Sequence, residues 1–101
     1  MPKIQKVFQH SLDRDEAVRR IRERIAAEKI NKANVVTVNK EVWVDPYTLD
    51  YSMSLFKYTV DGTLKIGESD IALAFDIPFS AMMFKGMIES QINQQMEILM
   101  K

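Results

Sequence analysis

His10 and Ser11 are the residue types from which nucleophilic chemistry is most often built, and His10 is the only histidine in the 101-residue chain. A serine nucleophile needs a base within hydrogen-bond reach and a third group that orients the base. Adjacent residues on an extended chain point to opposite faces, and no third group can be assigned here. A turn or capping role for His10 and Ser11 outweighs catalysis, and no catalytic residue is assigned. Carboxylates suited to acid–base work stand at Asp45, Asp50, Asp61, Asp70 and Asp76. The first four fall at expected turns or strand edges, where aspartate is common for local reasons. Asp76 points away from the apolar set Ile71, Leu73 and Phe75, and a solvated sheet face accounts for it.

Other chemistries lack their residues. The three glycines are scattered, so no phosphate-cradling loop exists. One histidine, no cysteine and no calcium-loop spacing make a metal site improbable, and no cofactor is expected. Without cysteine there is no disulfide framework either. Fourteen basic residues balance fourteen acidic ones. A nucleic-acid binder needs a basic stripe that displaces phosphate counterions. Arg14, Arg19, Arg20, Arg22 and Arg24 come nearest, but Asp13, Asp15, Glu16, Glu23 and Glu28 dilute them, so a helix face laced with ion pairs is the reading. No nucleic-acid partner is expected. No apolar stretch approaches the ~20 residues that span a bilayer, and no signal-peptide run follows Met1-Pro2-Lys3. A cytoplasmic location is expected. With 47% apolar and 28% charged residues, the chain reads as one domain, residues 1–101.

The elements that would position these residues follow from periodicity. Lys3 to Gln9 alternates as a first strand. Asp13 and Glu16 form the carboxylate version of a capping box, with Leu12 and Ala17 as its staple. Ala17, Val18, Ile21 and Ile25 recur at helical spacing on one narrow face, and the helix either overhangs its core contact or ends near Lys32. Period two then takes over. Val36, Val38, Val42 and Val44 are expected on one face, with Trp43 on the other. Asp45-Pro46 is a turn. Leu49, Tyr51, Met53 and Leu55 alternate, and the parity shift to Phe56, Tyr58 and Val60 predicts a bulge or bend near Leu55 and Phe56. Asp61-Gly62 is a hairpin signal, Leu64 and Ile66 form a short return strand, and Gly67 to Asp70 turns into a strand from Ile71 to Ile77.

After Pro78, Ser80 is placed as the cap of a second helix, with Phe79 and Phe84 as its staple. Ala81, Phe84, Ile88, Ile92, Met96 and Leu99 share a sector that faces a core. Met83, Met87 and Ile98 lie on an adjoining flank, with Gln91 and Gln94 within or between the sectors. The apolar arc is nearly twice the ~100° that one buried helix needs. Methionine adapts to irregular partners, and charge-poor, amide-rich surface beside it points to an interface. Met83, Met87, Gln91, Gln94 and Ile98 are therefore the candidate interaction surface, with a homodimer as one possible use. Gly86, inside this helix, is expected to allow close approach of a neighbouring strand.

His10-Ser11-Leu12 followed by Glu16-Ala17 and an Arg-rich helix, together with the strand into Phe79 and then Phe84-Lys85-Gly86, Ile88-Glu89 and Ile92, resembles a known pattern. It is similar to the small bacterial family of putative polyhydroxyalkanoic acid system proteins, also called polyhydroxyalkanoate granule region proteins. The two stretches cover about half of the chain, and Asn34 to Val60 departs from the family pattern. The resemblance implies an α+β domain associated with storage-polyester metabolism, with no established reaction, cofactor or catalytic residue to carry over. It makes His10, Ser11, Phe84, Lys85 and Gly86 structural motif residues.

The fold expected is α+β in the order β-α-β-β-β-β-α, a twisted antiparallel sheet of four to five strands with both helices on one face. The function expected is a non-enzymatic accessory or interaction protein of the polyhydroxyalkanoate system, binding a granule or a granule-associated protein. The alternative is a small carrier that grips an apolar or acyl ligand between the sheet and the final helix.

Overall fold

In a sheet covered on one side only, each strand must send alternate residues to the same side. The computed structural model describes residues 3–30, 36–55 and 58–101 and shows this arrangement. The elements are β1 (Lys3–Gln9), α1 (Arg14–Ile30), β2 (Val36–Asp45), β3 (Thr48–Leu55), β4 (Tyr58–Ile66), β5 (Asp70–Asp76), a 3-10 helix (Phe79–Phe84) and α2 (Lys85–Leu99). The five strands form one antiparallel sheet in the order β1-β5-β4-β3-β2. This is the α+β fold expected from the sequence, with its strand and helix order. The predicted end of α1 near Lys32 lies outside the described residues.

α1 joins the two edge strands. Its 17 residues reach ~25 Å, enough to cross the ~19 Å between the outer strands of a five-stranded sheet. Ala17, Val18, Ile21 and Ile25 are buried, as their spacing predicts. They meet Ile4, Leu49, Tyr51, Leu64, Ile66, Ile71, Leu73, Phe75 and Ile77 from the sheet side, and Ile88, Met96 and Met100 from the α2 side, in one apolar cluster. The opposite sheet face is exposed at Gln5, Val7, Thr59, Asp61, Lys65 and Ala72. Glu16 does not turn back to cap α1. Both of its oxygens are taken by arginines, Arg19 Nε and Nη2 at 2.7 and 2.5 Å and Arg20 Nε at 2.9 Å.

Two sequence expectations are overturned in the meander. The Asp61-Gly62 hairpin is absent: the chain reverses between Leu55 and Tyr58, and Gly62 stands inside β4 opposite Tyr51. The glycine is there because Tyr51 lies across it. A Cβ at residue 62 would meet the Ala74 carbonyl oxygen and the Tyr51 ring, 2.6 Å from Cζ. The expected bend near Leu55 and Phe56 includes Phe56, which lies outside the described residues. The second correction is in β2. A register shift between Val38 and Lys40 inserts one residue, and Asn39 anchors it by donating to Ser54 Oγ at 2.8 Å. Parity flips beyond that point. Val42 and Val44 are exposed, while Trp43 turns towards α1, with Arg22 4.1 Å above its ring. The indole donates to Glu41 at 2.9 Å, and Glu41 also accepts from Lys29 at 2.6 Å. The Asp45-Pro46 turn forms as expected, with Asp45 accepting the Tyr47 amide at 2.8 Å.

Two measurements test these packing and charge arguments. Gly62→Ala should lower unfolding stability by ~2 kcal/mol or more in urea titration, because neither the Ala74 carbonyl nor the buried Tyr51 ring can step aside freely. Hydrogen bonds from Arg19 and then Arg20 hold the Glu16 carboxyl at about 2, below its ordinary 4.5. Lys29 likewise lowers Glu41, and the Tyr47 amide lowers Asp45. Folded-state values below the unfolded ones give stability that is present above about pH 4.5 and lost as pH falls towards 2. The urea midpoint should therefore drop through that window, and Glu16→Gln should flatten part of the drop.

Candidate interaction surface on the final helix

The residues that first suggested chemistry are held in structural roles. His10 closes β1 and is buried. Its Nε2 lies 3.0 Å from the Gly67 carbonyl oxygen, and its Nδ1 accepts the Leu12 amide at 3.2 Å. That pair of contacts selects the neutral tautomer with the proton on Nε2. The imidazole thus clamps the β4–β5 turn to the start of α1, helped by the His10 amide, which donates to the Ser69 carbonyl at 2.9 Å. Arg14 adds a second tie from α1, donating to the Ile66 carbonyl at 2.8 Å and lying 3.7 Å above the Tyr47 ring. Ser11 is exposed, so the two side chains do not converge.

Asp76 sits on the open face of the sheet. The register places Lys40, Ser52, Asp61, Asp76 and Lys3 in one row across all five strands. Asp61 and Asp76 are direct neighbours with a lysine at each end of the row, and Asp50 accepts from Thr63 Oγ1 at 3.1 Å close by. Lys3, Lys40, Asp50, Asp61, Thr63 and Asp76 line a shallow cleft of about 290 Å³. Tyr51 also borders this cleft, but its ring packs across Gly62 and is buried, and His10 is not among the lining residues. Among the described residues no group of three or more His, Cys, Asp or Glu could hold a metal ion. None of the helices described is long and apolar enough to cross a membrane. Burial raises the Tyr51 phenol above its ordinary range, consistent with a ring used for packing. Between the sheet and α2, where a carrier would hold its ligand, Phe75, Ile77, Ile88, Met96 and Met100 are all buried.

The final segment is where structure and expectation differ most usefully. The chain after Pro78 opens as a 3-10 helix, with no side-chain cap from Ser80. A 3-10 helix turns ~120° per residue and an α-helix ~100°, so over five steps the two phases part by ~100°. Phe84, expected in the core sector, therefore stands at the rim, 38% exposed. Its ring is 6.1 Å from that of Tyr58, whose hydroxyl donates to the Ser80 carbonyl at 3.3 Å. Phe79 forms no staple; it is 76% exposed. Gly86 is exposed, and a Cβ there would meet nothing within 4 Å, so close approach of a strand is not its reason. Lys85 donates to Glu89 at 3.3 Å, and Lys6 of β1 reaches Asn93 at 3.3 Å.

Of the five surface candidates, Met83 is 82% exposed, Met87 46% and Ile98 67%, and Gln91 and Gln94 are exposed as well. They divide into two regions. Met83 joins Phe79, Phe84 and Met87 at the corner where the 3-10 helix meets α2, and Ile98 stands three turns away beyond the two glutamines. Phe79 was the member missed by periodicity. The signal available for it was the absence of any charge from Ile77 to Phe84, a run with a proline at its second position.

No curated protein matches the chain. The family described as putative polyhydroxyalkanoic acid system protein matches residues 4–100, and the chain belongs to that family.

Proposed function

We propose that the chain is a non-enzymatic accessory protein of the polyhydroxyalkanoate system. It attaches to the granule, at the polyester surface or at a granule-bound protein, through the corner formed by Phe79, Met83, Phe84 and Met87. The observation that carries this reading is the exposure of Phe79 and Met83 within a charge-free run of eight residues, Ile77 to Phe84. Monomeric proteins seldom leave large apolar side chains clustered in water without a use. Burying a Phe or Met side chain yields about 1.5–3 kcal/mol, so two such anchors suffice for reversible attachment to an apolar surface. A non-enzymatic role is supported by the engagement of both ring nitrogens of His10 and by the burial of Tyr51, whose hydroxyl faces the Ala74 carbonyl. Family membership supports the setting, and the corner supports the mode of attachment.

Co-sedimentation with washed polyhydroxybutyrate granules tests the reading. The parent chain should pellet with them, and Phe79→Ser combined with Met83→Ser should weaken binding at least about tenfold. Both side chains are largely solvated, so the far-UV spectrum should be unchanged. Equal binding by parent and variant would remove the corner from the proposal, and turnover of a hydroxyacyl substrate by the purified chain would remove its non-enzymatic part.

A further inference from the structure

The methionines of the described residues divide by exposure. Met83 is 82% exposed and Met87 46%, and both stand at the corner with Phe79 and Phe84. Met53 and Met82 are half-buried. Met96 and Met100 are each 8% exposed and belong to the apolar cluster. The chain has no cysteine, so thioethers are its only sulfur. We propose that Met83 and Met87 form a redox-sensitive modification site, at which a peroxide makes sulfoxides and so releases the corner from the granule. The proposal rests on attachment through that corner.

The oxidant is an oxygen donor of the hydroperoxide class. The thioether sulfur attacks one peroxide oxygen, the O–O bond breaks and an S–O bond forms. The departing oxygen takes up the proton shed by the attacked one and leaves as water or an alcohol. Sulfur gives up two electrons and the peroxide accepts them. A sulfoxide reductase with a pair of thiols reverses the step: the oxygen leaves as water and the thiols close to a disulfide. The chain's own part is to present the sulfur. Susceptibility follows access, which puts Met83 first and Met96 and Met100 last.

One added oxygen changes what the corner can touch. A sulfoxide is polar and is well solvated by water; pressed against an apolar surface it loses those hydrogen bonds without replacement. Ile77 to Phe84 carries no charged side chain, and Lys85, which follows, donates to Glu89 at 3.3 Å. Phenylalanine does not undergo this reaction, so Phe79 and Phe84 keep their apolar character while the two methionines vary theirs. The same side chains that make the corner adaptable to an irregular surface thus make its grip conditional.

The fold is spared. An oxygen on Met83 or Met87 enters water, because both side chains are exposed. Met96 and Met100 are covered, and Arg20 of α1 fastens the end of α2 beside them by donating to the Leu99 carbonyl oxygen at 3.1 Å. The rest of the apolar cluster is built from side chains without sulfur. Oxidation therefore reaches the attaching surface before it reaches the side chains that hold the domain together.

Partial oxidation with dilute hydrogen peroxide tests it, followed by sedimentation with washed polyhydroxybutyrate granules and peptide mass mapping of pellet and supernatant. Sulfoxide should form first at Met83, then at Met87, and last at Met96 and Met100. The ratio of sulfoxide to thioether at Met83 and Met87 should be at least about tenfold higher in the supernatant than in the pellet. A methionine sulfoxide reductase with dithiothreitol should return the released chains to the pellet. The far-UV spectrum should not change while only Met83 and Met87 carry oxygen. An untreated chain that stays in the supernatant would remove the attachment reading, and this proposal with it. With the untreated chain in the pellet, equal ratios in the two fractions, or oxidation of Met96 and Met100 ahead of Met83, would overturn the switch alone.

Discussion

Everything in this domain depends on keeping one side of the sheet apolar. Both helices lie on the same face, so five strands must deliver their large side chains there in matched parity, and a slip of one residue would send a whole strand's set into water. β5 anchors the arrangement: Ile71, Leu73, Phe75 and Ile77 are each nearly or wholly buried, and its neighbours pair with it without interruption. β4 keeps the same parity by accepting a glycine at residue 62, where the Tyr51 ring needs the room. β2 keeps it only by inserting Asn39. The helices then close over a surface that the strands have already made continuous.

This constraint explains which parts could be read from the residues alone. β1, the first half of α1 and β5 each bury one face and carry a clean period, so their bounds and buried positions follow from spacing. The element order followed as well. Asp61-Gly62 misled because it has the composition of a tight turn, whereas its glycine answers to a ring arriving from the next strand, a tertiary cause with no local trace. β2 misled because one inserted residue leaves the valine pattern intact while reversing which valines are covered. The 3-10 helix misled for a similar reason of phase: Phe84 looks like a core residue only when 100° per residue is applied to a segment that turns faster.

The two helices divide the labour of the domain. α1 turns Arg19 and Glu23 outwards and pairs them with each other and with Glu16, which leaves its outer surface hydrated and indifferent to partners. α2 and the turn before it place methionine, phenylalanine and glutamine outwards with a single carboxylate. His10, Tyr47 and Trp43 tie α1 to the sheet. At the N-terminal end His10 is thus a clamp between the β4–β5 turn and the start of α1. At the C-terminal end Phe84, Lys85 and Gly86 stand where the 3-10 helix passes into α2.

The position of β1 also has a consequence for how the chain assembles. The strands from Val36 to Asp76 meet their neighbours through short reversals and can pair as the chain grows. β1 comes first in the chain, yet its partner lies about sixty to seventy residues later, and contacts of that span are slow to close. Until β5 exists, β1 and α1 have no surface to complete. The His10 clamp joins these two halves and so belongs to the last stage of folding, when the earliest residues made are the final ones to find their place.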